Sequence, residues 1–332
     1  MRIGFKNLFT SILAMTWFGI QVYAQNLPPV ASDDLYTTGF NNQLITDASI
    51  GVLSNDTDNG GVGSLWVVST PVVGPASGTL VLAADGSFVY TPNTGFVGQD
   101  QFTYRVCDDG LPSTVVSRFD FNSTPLTQAS VGPNATSINP NAAQNGCGIY
   151  LASGSGGSAG LDVVVPNTGG IFNFTSFTAS FEYRDQESTA DIVTAGNFRI
   201  YHITGNQLGI SISVINGATG LPQTFIQNLG NFLPGSNPYS IFYDERTGSI
   251  EYTANGSVST FALAPPNSPL NTSLASGLTL GRFMDGSGST TPSLCSMEFT
   301  DNSILCDEAV ATLNVHATVI TNRRITYRVG ID

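Results

Sequence analysis

The sequence predicts an all-β protein of about two domains. Short runs of alternating polar and apolar residues recur along most of the chain, and turn-forming residues separate them, with 36 glycines and 17 prolines in 332 residues. This glycine content is too high for a helical bundle. Because 41% of the residues are hydrophobic and 11% are charged, the chain can bury enough apolar surface to fold, which argues against disorder.

The first 24 residues have the composition of a secretion signal. Arg2 and Lys6 precede an apolar run at 8–20, and Val22 and Ala24 fit the small residues of a cleavage site. The alternative is a membrane anchor, but the run is too short to cross the ~30 Å core of a bilayer. We expect residues 1–24 to be removed, leaving a secreted or cell-surface protein without a membrane span.

The mature chain is strongly acidic, with nine arginines against 24 acidic residues, a net charge of −15. Such a surface repels phosphates, so no nucleic-acid partner is expected. Clustered Asp and Asn at strand ends offer the hard oxygen ligands of Ca²⁺, although the same residues also cap turns without a metal. The candidate calcium ligands in the first third of the chain are Asp33, Asp34, Asn55, Asp56, Asp58, Asp108 and Asp109.

The strand pattern is clearest between residues 35 and 106 and is typical of a β-sandwich. Residues 83–86 form a predicted hairpin turn. The predicted strands cover residues 65–70, 78–82, 87–91 and 101–106.

Four stretches of sequence follow one another in a recognisable order: PPVASDD at 28–34, GVLSNDTD at 51–58, GTLVLAADGSFVYTPNTGFVGQDQFTYRVCDDG at 78–110 and LCDEAVATLNV at 305–315. Together they resemble the bacterial Ig-like, cadherin-like repeat of secreted surface proteins. The last strand comes about 190 residues late. The resemblance therefore implies a bacterial surface protein in which residues 25–113 and 305–317 form one Ig-like β-sandwich, interrupted by residues 114–304.

The insert is β-rich throughout. Its course through FDFN, NGCGIYLASG, GNFRIYHI, YDERTGSIEYTANG and LTLGRFMDGSGS resembles the laminin-G-like, concanavalin-like jelly roll. This resemblance implies a two-sheet binding domain and places Asp285 near a rim where such domains hold calcium. Its predicted strands are residues 118–121, 148–151, 161–165, 177–183, 198–203, 209–215, 239–243, 249–254 and 278–282.

Four cysteines in an exported chain imply disulfides, with three connectivities available. The insertion that the resemblance implies sets Cys107 opposite Cys306 across a reconstituted hairpin and leaves Cys147 to pair with Cys295. A bridge from Cys107 to Cys295 is the alternative, because residues 292–295 imitate the returning strand.

No catalytic constellation emerges. His202 and His316 lie in predicted strands without a nearby acid or hydroxyl motif, and we expect both as surface or edge-strand imidazoles. Glu182 and Glu187 resemble the carboxylate strand of concanavalin-like glycosidases, but an offset of five residues puts them on opposite faces of a strand. We therefore expect no enzyme.

Aromatic residues that could stack on a sugar are Tyr183, Tyr201, Tyr239 and Tyr243, whereas Trp66 is expected in the core of the Ig-like unit. Residues 318–332 form a predicted edge strand that carries three arginines. This strand either folds back or adds to the sheet of a second copy.

These observations predict a non-enzymatic secreted or cell-surface protein in which an Ig-like scaffold presents a jelly roll for adhesion or carbohydrate recognition, with calcium as the candidate cofactor. The expected partner is an extracellular glycan or a surface protein. One alternative is a structural subunit that assembles into homo-oligomers through its C-terminal strand. The other is a polysaccharide-active enzyme that works through Glu182 and Glu187.

Overall fold

A computed structural model describes residues 26–59, 63–122, 124–146, 148–151, 160–184, 190–203, 206–284 and 292–317. The predicted all-β fold is confirmed: this part of the chain contains 21 strands, and its only helical elements are short 3₁₀ turns at Thr168–Gly170 and Thr272–Leu274. None of the helices in these ranges could cross a membrane. The predicted secretion signal, Cys147, Glu187, Asp285 and the C-terminal segment 318–332 lie outside the described residues.

Two sheets form the first sandwich, one with the order β1-β21-β6-β3 and the other with the order β2-β5-β4. Strand β21 lies in the middle of its sheet, parallel to β1 and antiparallel to β6. The first sandwich is therefore completed only by the end of the described chain. Its strands are β1 (Asp34–Gly39), β2 (Leu44–Ile45), β3 (Trp66–Val67), β4 (Gly78–Leu82), β5 (Phe88–Pro92), β6 (Gly98–Cys107) and β21 (Cys306–His316).

Alternation along β6 builds the core of this sandwich. Phe102, Tyr104 and Val106 point inward and are fully buried, whereas Arg105 faces outward. Asp100 is also buried, and its carboxylate accepts hydrogen bonds from the backbone N–H groups of residues 76 and 77 and from the hydroxyl of Tyr90. A buried carboxylate with these partners fastens the loop before β4 to the core.

The second sandwich has a six-stranded sheet, β10-β19-β12-β13-β14-β15, and an eight-stranded sheet, β18-β17-β16-β11-β20-β9-β8, in which β7 also pairs with β20. Its strands are β7 (Thr114–Phe119), β8 (Ala142–Gln144), β9 (Ile149–Leu151), β10 (Val163–Val165), β11 (Phe177–Arg184), β12 (Asp191–Thr194), β13 (Phe198–His202), β14 (Gln207–Ile215), β15 (Pro222–Asn231), β16 (Ser236–Asp244), β17 (Ser249–Ala254), β18 (Ser257–Ala262), β19 (Leu278–Arg282) and β20 (Ser293–Asp301).

Aromatic side chains fill the space between these two sheets. Phe177 stacks on Phe174 and Phe198, with ring centroids 5.3 and 4.7 Å apart. His202 belongs to the same core: it is buried, and its ring stacks on Phe232 at 4.4 Å. The expectation of a surface or edge-strand imidazole is wrong for His202, because β13 is paired on both sides and this residue points inward.

Two short segments, residues 109–113 and 302–305, connect the sandwiches, and we call them the stem. Cys107 is disulfide-bonded to Cys306, the pairing that the resemblance implied, so the alternative bridge from Cys107 to Cys295 is wrong. The predicted partner of Cys295, Cys147, lies outside the described residues. Gly110 has a φ of +77°, and an added Cβ would lie 2.4 Å from the carbonyl oxygen of Asn302, so the two stem segments are in contact.

Buried carboxylates from both sandwiches bind the backbone of the stem. Asp108 Oδ1 accepts hydrogen bonds from the N–H groups of Gly110 and Leu305, at 2.9 and 3.0 Å. Glu245 Oε1 accepts from the N–H of Ile304 at 3.1 Å and from the hydroxyl of Thr175 at 2.6 Å. Each sandwich thus contributes one acidic side chain that holds the returning segment.

Candidate functional site

The outer face of the eight-stranded sheet carries a band of polar side chains at its centre. In β11, Phe181 and Tyr183 point into the core, so Ser180 and Glu182 face outward. Cross-strand pairing sets Ser180 beside Ser240 of β16 and Glu298 of β20. Two further rows lie on either side, and the three rows are Ser240, Ser180, Glu298 and Arg118; Pro238, Glu182 and Ser296; and Phe242, Thr178 and Thr300.

A shallow groove of about 250 Å³ lies over this band. Arg118 and Glu298 form an ion pair across β7 and β20. Glu182 Oε1 accepts a hydrogen bond of 2.8 Å from the hydroxyl of Ser236. Because serine side chains are short, the charged groups stand above a floor of hydroxyls. We call this feature the sheet groove, and its lining residues are Arg118, Ser180, Phe181, Glu182, Pro238, Tyr239, Ser296, Met297 and Glu298.

The structure changes the set of aromatic residues that could stack on a ligand. Tyr183, Tyr239 and Tyr243 are at most 2% exposed and belong to the core, so these three candidates cannot stack on a ligand. Tyr201 is half-buried on the six-stranded sheet, with the guanidinium of Arg199 4.1 Å from its ring centroid. Phe242, which sequence reasoning missed, is half-buried on the same outer face as the sheet groove.

Glu182 has a neighbouring carboxylate that the sequence did not indicate. Glu187, its predicted partner, lies outside the described residues. Glu298 lies diagonally across β11 and β20, because Glu182 pairs with Ser296 and Ser180 pairs with Glu298. The residues are 116 positions apart, so only the register of the sheet brings them together.

The acidic side chains of the first sandwich form two groups, and the first contains Asp33, Asp34, Asn55 and Asp56. Asp34 accepts hydrogen bonds from the hydroxyls of Tyr36 and Tyr104, and Asp56 Oδ1 accepts from the N–H of Ser32 at 2.7 Å. Asp33 Oδ1 accepts from the N–H of residue 310, and the Asn55 amide donates to the backbone carbonyls of residues 32 and 33. Asp307 of β21 adds a charge beside Asp56 that sequence reasoning missed.

The second group contains Asp58, Asp108 and Asp109, and it borders the stem. Asp58 and Asp109 lie on either side of residue 63, whose N–H donates to Asp58 Oδ2. Asp109 Oδ2 accepts from the N–H and hydroxyl of Ser64. The side chain of Asn26, which was not predicted, lies against Asp108.

A side-chain oxygen that already accepts hydrogen bonds is less available to Ca²⁺ than one that accepts none, so the hydrogen bonds of the oxygens in both groups decide where the ion fits. Most of the carboxylates bind backbone N–H groups or hydroxyls, as turn capping would require. Asp56 Oδ2, Asp108 Oδ2 and Asn26 Oδ1, in contrast, are buried and make no hydrogen bond of good geometry, although Asn26 lies close enough to Asp108 to lower the pKa of that carboxyl. No three acidic, histidine or cysteine side chains within the described ranges converge on one metal position. Ca²⁺ also accepts amide, backbone and water oxygens, so one or two carboxylates in each group fit the ion.

Burial and like charges raise the pKa values of these acids. The pKa of Asp34 is raised to about 6, mainly by burial and then by Asp56 and Asp33, against hydrogen bonds that lower it. The pKa of Asp56 is raised to about 6 by burial and by Asp307. Burial and Asp58 also raise the pKa of Asp108. Without a cation, these groups therefore ionise at a cost to the folded state.

One protein-family model matches the part of the chain that forms most of the first sandwich. Residues 26–125 match the bacterial cadherin-like domain family. The cadherin-like region contains β1 to β6 and all seven predicted calcium ligands of the first sandwich. The match ends at residue 125, beyond β7, whereas β21 fills the central position of the cadherin-like sheet.

Several solved structures are similar to part of the chain. The CBM40 module of the Ruminococcus gnavus IT-sialidase, bound to α2,3-sialyllactose, is 15% identical and covers 45% of this chain and 94% of that one, with a TM-score of 0.30. The Crh5 transglycosylase in complex with NAG is 11% identical over 57% and 87% of the two chains, with a TM-score of 0.32. Scores this low assign no ligand. A comparison with curated proteins finds no match.

The raised pKa values of Asp34 and Asp56 predict a pH dependence of stability without metal. Because the folded-state pKa exceeds the ordinary value of 3.8, the folded protein binds more protons between about pH 4 and pH 6, so stability falls as pH rises through that range. In chelator, we expect the free energy of unfolding to fall by roughly 1–2 kcal/mol from pH 5 to pH 7, allowing for partial exposure.

Denaturant unfolding at both pH values measures this change. Asp56→Asn is expected to remove part of the loss, whereas Asp120→Asn, at an exposed carboxylate outside both groups, is expected to leave it unchanged. A free energy of unfolding that stays flat or rises over this interval would contradict the electrostatic account.

Proposed function

We propose that this chain is an exported, non-enzymatic bacterial surface protein that binds carbohydrate in the sheet groove. The observation that carries the proposal is the central row of outward-facing side chains, in which serines lie beside Glu298 and Arg118. The cadherin-like match at 26–125 supports an extracellular bacterial protein. The cadherin-like sandwich is then the scaffold, and the second sandwich presents the ligand-binding face.

The chemistry of the sheet groove suits a sugar. Carboxylate oxygens accept hydrogen bonds from neighbouring sugar hydroxyls, a guanidinium donates several in one plane, and serine hydroxyls do both. Glu182, Glu298 and Arg118 supply these groups on rigid strands rather than on loops. Phe242 adds an aromatic surface one row from Ser240 for the apolar side of a pyranose ring.

The same contacts favour binding over hydrolysis. A glycosidase needs one carboxyl group that gives up a proton and a second that attacks or activates water. Glu298 is ion-paired with Arg118, so its carboxylate oxygens are already engaged by a guanidinium rather than free to attack a sugar or activate water. Glu182 is hydrogen-bonded by Ser236 and is suited to orienting a hydroxyl.

Substitutions in the sheet groove test this proposal. After a glycan array identifies a bound oligosaccharide, we expect Glu182→Gln and Arg118→Gln each to weaken its affinity at least about tenfold, because each change removes a charge-assisted hydrogen bond. Thr224→Ala, at an exposed position of the six-stranded sheet, is the matched control and is expected to leave the affinity unchanged. Calorimetry measures all three.

Two results would overturn the proposal. One is an array that detects no oligosaccharide, or an affinity that both groove variants leave intact. The other is recovery of the bound oligosaccharide in cleaved form, which would restore the enzyme alternative.

We also propose that calcium binds beside the stem and at Asp56, using carboxylate oxygens together with backbone and water oxygens. The buried oxygens of Asp56, Asp108 and Asn26 that make no hydrogen bond of good geometry support this proposal. A cation that displaces the proton of a raised-pKa carboxyl, or neutralises its buried negative charge, would stabilise the folded protein. At the stem, it would also stiffen the connection between the sandwiches.

Thermal unfolding with and without calcium tests this second proposal. A few millimolar Ca²⁺ is expected to raise the unfolding midpoint at pH 7 by roughly 5 °C over chelator, because the ion binds only the folded state. Asp108→Asn is expected to reduce the rise, and Asp120→Asn is expected to retain it. An equal midpoint in calcium and chelator would assign these acids to turn capping alone.

A further inference from the structure

We propose that the cleft between the two sandwiches is a second saccharide site, built around Trp66 and separate from the sheet groove. Two adjoining cavities of about 140 and 330 Å³ form this interdomain cleft. They share Trp66, Val68, Arg246 and Asn267, so one ligand can contact both. The first two residues come from the cadherin-like sandwich, and the other two come from loops of the second sandwich.

Trp66 faces this cleft rather than the core in which it was expected. Its neighbour Val67 is fully buried in the core of the first sandwich, and alternation along β3 turns the indole to the opposite side. The indole Nε1 donates a hydrogen bond of 2.8 Å to the backbone oxygen of Asp108. This bond fixes the ring beside the stem, and Trp66 lines both cavities.

Polar residues line the same cavities as Trp66. Arg105 lines the smaller cavity and pairs with Glu308 on the neighbouring strand. Arg246 lines both cavities, and it forms a long ion pair with Asp244, at 3.9 Å. Arg105, Arg246 and Asn267 therefore share these cavities with an aromatic residue, which is the combination that binds sugar hydroxyls and the apolar face of a pyranose together.

The far wall of the cleft is preformed. The backbone N–H of Asn267 donates to the carbonyl of Arg246 at 3.1 Å, and that of Ser268 donates to the carbonyl of Glu245. The smaller cavity is lined by Ile304 of the stem and by both cysteines of the disulfide, so the disulfide and the buried carboxylates set the separation of its walls. A ligand that bridges the sandwiches therefore meets a fixed site, which lowers the entropic cost of binding.

The charges at the cleft select a neutral sugar. Both guanidiniums already have carboxylate neighbours, Glu308 and Asp244, and the whole mature chain carries a net charge of −15. The net negative charge of the protein would repel an anionic sugar, whereas it does not repel a neutral hexose. The cleft thus binds a neutral hexopyranose chain.

Trp66 provides the test, because Trp17 lies in the predicted signal and Trp66 is the single tryptophan of the mature chain. The mature, disulfide-bonded protein is titrated with cellohexaose, laminarihexaose and mannohexaose, and with hexagalacturonate as the anionic comparison, while tryptophan emission is recorded. At least one neutral hexaose is expected to produce a saturable shift in emission. Arg246→Ala is expected to weaken that binding at least tenfold, and Thr224→Ala is expected to leave it unchanged.

Glu182→Gln separates the two sites. It is expected to leave the Trp66 response intact even where it abolishes binding in the sheet groove, so either site can fail without the other. The cleft proposal is overturned if no neutral hexaose changes the emission, if only hexagalacturonate does, or if the response survives in an Arg246→Ala protein with an unaltered melting temperature.

Discussion

The hydrogen bonds that buried carboxylates make to the returning chain are the interaction on which the rest of the structure depends. Asp108 of the cadherin-like sandwich and Glu245 of the second sandwich bind consecutive N–H groups, those of Leu305 and Ile304. One residue later, Cys306 is disulfide-bonded to Cys107 and begins β21. Burial raises the pKa of both acids because it disfavours their charged forms. The hydrogen bonds from the stem N–H groups offset part of this desolvation cost. The stem and the acids therefore stabilise each other.

This arrangement explains how a large second sandwich can interrupt the first without unfolding it. Strand β21 supplies the middle of a cadherin-like sheet, and it can pair with β6 only if the chain returns to the place from which it left. The disulfide closes a loop of 199 residues, which restricts the unfolded chain strongly. The same constraint fixes the interdomain cleft and holds the sheet groove at a set position relative to the first sandwich, as the proposed binding function requires.

Local patterns predicted much of the fold, and what they missed lies in exposed edge strands and in contacts that only long-range pairing creates. Strands Gly78–Leu82, Ser249–Ala254 and Leu278–Arg282 were predicted with their observed bounds, because alternation and turn residues mark them locally. Strands β15 and β18 were missed because both are edge strands with mostly exposed side chains, so burial leaves no apolar alternation in them. At the candidate sites, Asp34 and Asp56 were predicted from clustered acids. Asp307 and Glu298 were not, because only strand register places them beside their partners.

Amide hydrogen exchange at Ile304 and Leu305 tests the central claim most directly. If Glu245 and Asp108 hold these N–H groups as described, both amides exchange only when the protein unfolds globally, as slowly as amides in the middle of β21. Glu245→Gln should accelerate exchange at Ile304 more than at Leu305, because Asp108 still binds the latter. Exchange of both amides in the intact protein at the rate of an open loop would contradict a rigid stem, and with it the preformed cleft.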